Sequence, residues 1–348
     1  MSKENKVVIS KAFLKKQLSE DEHIAKSLSR FIDNSIKAKE KITINKYPCM
    51  VYINILEDSI VISDNSGGID SNITDKDIFK IGKNDKNEIL GLGIKKSLFK
   101  LGNKIEIFSN KKGCARKFSL DIKLGNEELV SQSENMNYNP DVPEGTIVVI
   151  SDLEHEIKKK ITKIGFVNDV ILKLGRMYSK FIFKEKLIIC LNNKYVKPKN
   201  IKAKKINSCS ILDNCKGELY KGNKYDISGI DLFINDYMVY DRVKNKEVKW
   251  NLLNEAKHTY TDCIIEIVYY GEKSEFIKNK EDIFNEVIDF VKKNKISFES
   301  NVITIQYEEP ITKVEELKQY YNENTAKGIG IKAFNKLYEN YINNRDQY

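Results

Sequence analysis

A stripe of apolar residues at helical spacing, followed at once by two β-branched runs that end on a carboxylate, does most to restrict the folds open to this chain. Within DEHIAKSLSRFIDNSIKAK, residues 21–39, Ile24, Leu28, Phe31, Ile32 and Ile36 recur with the helical period, which predicts a helix with one face in a core. Residues 50–55 and 59–64 are short β-branched runs separated by the turn-like Glu57-Asp58, so they read as a hairpin whose second strand ends at Asp64. Residues 65–90 are polar, with Gly67-Gly68 and Gly82, before Gly91-Leu92-Gly93 opens a second helix that runs from Ile94 to Leu101 and closes on Gly102. Residues 1–155 are therefore expected to form an α/β sandwich, a mixed, largely antiparallel sheet with helices on one face.

Further along, strand-like runs are expected at 104–109, 115–121 and 145–151, and the polar segment 132–144, with two prolines, reads as a surface loop. Ile157, Ile161, Ile164, Val167, Val170, Ile171 and Leu174 predict one long helical stretch, followed by strands near 181–191 and 193–197. A domain change falls between 156 and 185; residues 198–228 carry the poorest pattern, and a second strand-and-helix unit occupies about 229–308. After Pro310 a tail rich in Tyr and Asn reads as helical, interrupted at Gly328-Ile329-Gly330. The expected domains are therefore 1–155, 156–309 and a C-terminal tail, 310–348.

Composition narrows the chemistry. The chain has 348 residues, 41% hydrophobic and 31% charged, enough to bury real cores. No run approaches the roughly 18 apolar residues of a membrane helix, and the start lacks the apolar core of a secretory signal, so a soluble, cytoplasmic protein with no membrane partner is expected. The net charge is +9, from 59 basic and 50 acidic residues; lysine runs at 158–160 and 202–205 suit solvated faces or a polyanion contact. None of the six cysteines forms a C-x-x-C pair, and Cys209 and Cys215 have no nearby histidine, so reduced structural thiols are expected. The three histidines, His23, His155 and His258, fit no zinc-protease or phospho-acceptor pattern.

Three segments could share one site. Asn34 lies on the first helix, and an amide oxygen is a neutral ligand of the kind that Mg²⁺ takes beside waters and phosphates. Asp64, at a strand end, can accept from an exocyclic amine, and the glycines at 67, 68, 91 and 93 let backbone approach a ring or a phosphate. Lys95 and Lys96 oppose the dipole at a helix start unless an anion is bound there.

In this order RFIDNSIKA resembles the N box, ISDNSGGI the first glycine box and GLGIKKSLFKLG the second glycine box of the GHKL ATPase superfamily. That superfamily holds DNA gyrase, the large heat-shock ATPase chaperone, sensor histidine kinases, and MutL with the MORC proteins. Glu144-Gly145-Thr146 and the strand after it are similar to the Gly-Thr strand that closes the pocket there. The resemblance covers about residues 5–155. It implies a Bergerat-type mixed sheet with helices on one face, then a smaller transducer-like α/β domain. It also implies ATP and Mg²⁺ as ligands. Asp64 would bind the adenine amine, Gly68 would line the base pocket, Asn34 would hold Mg²⁺, and Thr146 would lie at the pocket floor. Gly91 and Gly93 would bend a lid over the phosphates, with Ile94 and Lys95 in the same turn.

The departures bear on activity. Hydrolysing members carry a Glu one helical turn before the magnesium Asn, and here that position is Arg30, which stays protonated and cannot act as a general base. Loss of a positioned base costs about 10²- to 10⁴-fold in rate, so slow or absent turnover is expected unless a carboxylate from elsewhere, or from a partner, substitutes. Ser66 replaces the first glycine of its box, a milder departure because a small residue still fits. In the loosely transducer-like second half, Lys278 or Lys280, on a loop before a helix predicted over 282–292, is the candidate phosphate sensor. The resulting expectation is a nucleotide-held conformational or dimerisation switch, a homodimer forming on nucleotide binding, with a DNA or protein partner in DNA maintenance or defence. An active ATPase, a histidine-kinase-type enzyme and a nucleic-acid-binding module are the alternatives.

Overall fold

A computed structural model describes residues 23–42, 47–79, 83–85, 88–90, 92–123, 131–199, 201, 203–222, 228–253, 260–295 and 298, with side chains for all of these but 76, 83–85, 88–90 and 92–95. Gly82, Gly91, His258 and the expected tail lie outside the described residues. The chain divides into two compact units, each described by itself.

The first unit begins with helix α1 (Ile24–Glu40), capped by His23, whose Nδ1 accepts from the Ala25 amide at 3.1 Å. Its apolar stripe, Ile24, Leu28, Phe31, Ile32 and Ile36, is buried as the spacing predicts. Strands β1 (Cys49–Ile55) and β2 (Ser59–Asp64) form the expected hairpin, with Ile53 opposite Ile62 and Val51 opposite Asp64. A short helix α2 (Asp75–Ile78) and a two-stranded ribbon, β3 (Lys83–Asp85) with β4 (Glu88–Leu90), lead into helix α3 (Leu92–Leu101). Then come β5 (Gly102–Asn110), β6 (Arg116–Asp121), β7 (Ser131–Asn135) and β8 (Gly145–Leu153). With β9 (Leu187–Leu191) and β10 (Lys194–Tyr195) these make an eight-stranded sheet in the order β10-β9-β1-β2-β8-β5-β6-β7. Every pairing is antiparallel except β1 with β9. Helix α1 packs on β1 and α3, and α3 on β5 and β8. Ile24, Leu28, Ile32, Ile53, Ile55, Val61, Leu98, Ile105, Ile107 and Val148 are buried in the core of this unit. The class is thus mixed α/β, an α+β sandwich built on an open sheet.

Four local expectations are corrected. Residues 131–135, expected within a loop, are strand β7, whose SQSEN side chains are all exposed; a polar edge strand shows no apolar alternation because only its backbone pairs, with β6. The long helical stretch is broken into α4 (His155–Ile161) and α5 (Phe166–Met177), with Gly165 between them at φ 84°, a left-handed conformation that ends a helix. Residues 179–183 form helix α6 (Ser179–Phe183) rather than the start of a strand. The first unit ends its first stretch at Gly175, inside the interval 156–185 expected for the domain change though beyond the division at 155, and the parallel pairing of β9 with β1 also takes Ile182–Lys197 into it, which the expected division had not.

The second unit, Arg176–Phe181 with Pro198–Ile311, holds β11 (Lys204–Leu212), β12 (Cys215–Lys221), β13 (Gly229–Ile234), β14 (Tyr237–Val243) and β15 (Cys263–Tyr269) in the order β11-β12-β15-β13-β14. Only β13 and β15 run parallel. Helix α7 (Lys273–Lys293) buries Phe276, Ile283, Phe284, Val287 and Val291 with Leu219, Leu232, Ile265 and Trp250. It begins well before the expected start at 282, because Lys278–Asp282 is polar and hides the continuity from Phe276 to Ile283. On the other side of these strands Glu218, Glu266 and Asp231 lie opposite one another in register. Lys180 pairs with Glu266, and Arg176 and Arg242 with Asp231.

Candidate functional site

The centre of the first unit is a buried carboxylate with more donors than its two oxygens ordinarily take. Asp64, 4% exposed, ends β2. Its Oδ2 accepts from Ser35 Oγ at 2.8 Å and Thr146 Oγ1 at 2.6 Å. Its Oδ1 accepts from Ser66 Oγ at 2.5 Å, the Ser66 amide at 2.9 Å and the Thr146 amide at 3.2 Å. Burying a carboxylate is costly unless such donors replace water, and here α1, the turn after β2, and β8 supply them.

Local sequence explains the convergence. Ser35 follows Asn34 on α1, so the bond to Asp64 sets the N-box-like segment beside the end of β2; Asn34 itself is exposed. Asn65 continues the anchoring: its Oδ1 accepts from the Met50 amide at 2.9 Å, its Nδ2 donates to Pro48 O at 3.2 Å, and Lys39 Nζ donates to its carbonyl at 3.1 Å. Burial lowers the Lys39 pKa, against the pull of Cys49 and Asp64. Gly67 and Gly68 sit at φ 86° and 69°, and a Cβ on Gly68 would come within 3.0 Å of Asn110 O. At Gly145 the reason for glycine is closer still, since a Cβ would lie 1.9 Å from the Asp64 carbonyl oxygen.

The second glycine box joins through α3. Ser97 Oγ donates to Ser27 O at 2.8 Å, and Arg30 Nη1 donates to Ser97 Oγ at 3.4 Å, so Arg30 is aimed from α1 toward α3. The backbones of Gly93, Ile94 and Lys95 form the first turns of α3, with their side chains outside the described residues, as is the whole of Gly91. Arg116 fixes the chain after the first glycine box: its guanidinium donates to Asp70 O at 2.8 Å, Ile73 O at 2.9 Å and Asp75 Oδ1 at 2.9 Å, and Lys111 pairs with Asp70 at 2.5 Å.

The expected residues Asn34, Asp64, Gly68 and Thr146 thus belong to hydrogen-bonded, adjoining segments of one unit. Lys280 does not lie on a loop. It is within α7 in the second unit, where its ammonium donates to Glu247 Oε1 and lies 5.7 Å from the Tyr240 ring centroid. His23 caps α1 and bonds through Nε2 to Asp169 Oδ2 at 2.7 Å. Ser66 fits as a small residue in the turn, and its hydroxyl is one of the donors to Asp64. Sequence reasoning missed Ser35 and Arg116. Ser35 could have been found from its place beside Asn34 on the buried stripe, whereas nothing local marks Arg116, whose three acceptors lie more than forty positions away.

The residues fit magnesium only together with a phosphate ligand. Among the described residues no three His, Cys, Asp or Glu side chains gather as a metal site, and Asn34 offers a single neutral oxygen. Among the described residues no helix is long and apolar enough to cross a membrane. No family model matches the sequence, and no curated protein matches it.

Proposed function

We propose that the chain binds Mg-ATP in its first unit and acts as a nucleotide-dependent conformational or dimerisation switch, with slow or no hydrolysis. The observation that carries this reading is the buried Asp64 carboxylate, bonded at once to the neighbour of Asn34, to the glycine segment and to Thr146. Those are the segments that a GHKL-type pocket would draw together.

In this reading Asp64 accepts from the adenine 6-amino group, and an acceptor at that point disfavours guanine, which presents a carbonyl there. Asn34 supplies one oxygen to Mg²⁺, and the backbone turn opening α3 offers amides to phosphate. Bound nucleotide would contribute a phosphoanhydride whose cleavage needs an activated water. At the position where a base would stand, Arg30 carries a guanidinium directed to Ser97. It cannot take a proton from water, so binding biases a conformational equilibrium instead of driving turnover.

Calorimetric titration with ATP, GTP and a non-hydrolysable ATP analogue, with and without Mg²⁺, tests the proposal. ATP should bind and GTP should bind more weakly, and Mg²⁺ alone should give no signal. Asp64→Asn should weaken ATP binding about five- to 150-fold, the range for truncating a buried hydrogen-bond partner. Equal ATP affinity in wild type and Asp64→Asn would remove the adenine-reading role.

A further inference from the structure

The eight-stranded sheet is buried on both faces, and α1 and α3 lie on only one of them. Asp64, which bonds Ser35 of α1, lies opposite Val51, so Val51 and Ile53 face the helices together with their partners on β9, Ile189 and Leu191. Side chains alternate along a strand, so Met50 and Tyr52 point the other way, beside Ile188 and Cys190 in register and Tyr195 on β10. These five form a cluster of their own, with Met50 1% and Cys190 3% exposed. The band continues along the register through Val61, Val149 and Glu106, all buried, as far as β5. A face open to water would carry exposed polar residues in alternation. CMVYINI and LIICL are instead the continuous apolar runs of strands covered on both sides.

We infer that this far face is the docking surface of the chain's own C-terminal tail, seated through the apolar stripe Ile331, Phe334, Tyr338, Tyr341 and Ile342. Those residues recur at the i, i+3, i+7, i+10 and i+11 spacing of one side of a helix, with Lys332, Lys336 and Asn340 on the other sides. Helix α7 ends at Lys293 in the second unit, yet the first unit takes in Thr312–Tyr348, so the tail returns to the unit whose sheet has the covered face. Residues 1–22 are the other long terminal segment, but they lead into α1 at His23, which bonds Asp169 of α5, and so end on the helix side. Reach agrees with the tail. As a helix, residues 331–342 run about 18 Å, against about 24 Å from β10 to β5 at ~4.8 Å per strand, and the tail residues before Gly328 can cover the rest.

The test reads Cys190, within the covered face, against Cys49, which is buried on the helix side of β1. The intact chain is alkylated with iodoacetamide, and the rate at each cysteine is followed by peptide mass spectrometry. In wild type both thiols should be protected. Phe334→Asp with Tyr338→Asp sets charge against an apolar surface and should speed Cys190 alkylation about tenfold or more, with Cys49 still protected. Lys336→Asp with Asn340→Asp, on the opposite side of the tail helix, should leave both rates at wild type. Unchanged protection of Cys190 in the stripe variant overturns the inference, as does rapid alkylation of Cys190 in wild type or equal unmasking by the two tail variants. Unmasking by Phe13→Asp with Leu14→Asp, and not by the stripe variant, would assign the face to the N-terminal segment and overturn it too. If the charged pair unfolds the unit, Cys49 reacts along with Cys190. Phe334→Ala with Tyr338→Ala, which removes contact without adding charge, then decides by the same two rates.

Discussion

Arg30 lies one helical turn before Asn34 on α1, and its guanidinium reaches Ser97 on α3, which fixes the side of the helix it occupies. A glutamate there would start from the same face, where a carboxylate could orient and deprotonate a water beside a phosphate. Arg30→Glu should therefore raise ATP-dependent phosphate release by about 10²- to 10⁴-fold over a slow wild type. Wild-type turnover already near 1 s⁻¹, the lower end of ordinary enzyme rates, would mean that another base acts and that the switch reading is wrong. In the proposed reading, adenine recognition and this chemistry rest on different residues, so Asp64→Asn should lower affinity without restoring or abolishing the rate at saturating ATP. Of the residues around Asp64, the ones legible in the sequence are those with unusual chemistry in an unusual order: Asn34, Asp64, the glycines and Thr146. Ser35 and Ser66 are ordinary serines whose roles arise only when β2, α1 and β8 meet.

Helix α1 begins at a titratable cap. His23 Nδ1 accepts from the Ala25 amide while Nε2 bonds Asp169, an arrangement that requires an unprotonated Nδ1. Burial lowers the His23 pKa below its ordinary 6.5; the Asp169 hydrogen bond works against this, and Lys173 and Lys160 add to the lowering. The folded state thus binds this proton less readily than the unfolded chain. The stabilisation is present above the unfolded pKa and is lost as pH falls through the folded one. Denaturant midpoints should drop more between about pH 7.5 and pH 5 in wild type than in His23→Asn, which caps without titrating. Parallel slopes for the two proteins would exclude the cap as a source of pH dependence. Periodicity located α1 because it buries one apolar stripe, and the β1–β2 hairpin was legible as two β-branched runs because nearly all of their residues are buried. Periodicity failed at β7, where no side chain is buried, and across α4 and α5, where the apolar spacing continues through Gly165 although the backbone does not.

At the scale of the whole chain, the two units have separate cores, and the candidate site lies wholly within the first. The return of Ile182–Lys197 to the first unit was hidden from sequence because β9 follows α6 in the chain yet pairs with β1, more than a hundred residues earlier, a parallel pairing that no local pattern announces. The second unit has its own buried charge cluster. Asp231, 2% exposed, accepts from Arg176 Nη2 at 2.9 Å and from the Arg242 amide at 2.9 Å, and its carboxylate lies 3.4 Å from Arg242 Nε. Burial raises the Asp231 pKa, and the two arginines oppose that shift, so the carboxylate is tolerated there because they are present. Removing one member of a buried ion pair leaves the others uncompensated and costs about 3–5 kcal/mol. Asp231→Ala should lower the unfolding free energy of the second unit by about that amount, read from denaturant unfolding with a probe on Trp250, which packs in that unit's core. ATP affinity, measured where both units remain folded, should stay within about twofold of wild type, since Asp231 and Asp64 belong to separate units and the hydrogen bonds described for one involve none of the partners of the other. A loss of ATP affinity that tracks the loss of stability would show instead that the second unit's integrity is felt at Asp64. The nucleotide response would then belong to the whole chain and not to its first unit alone.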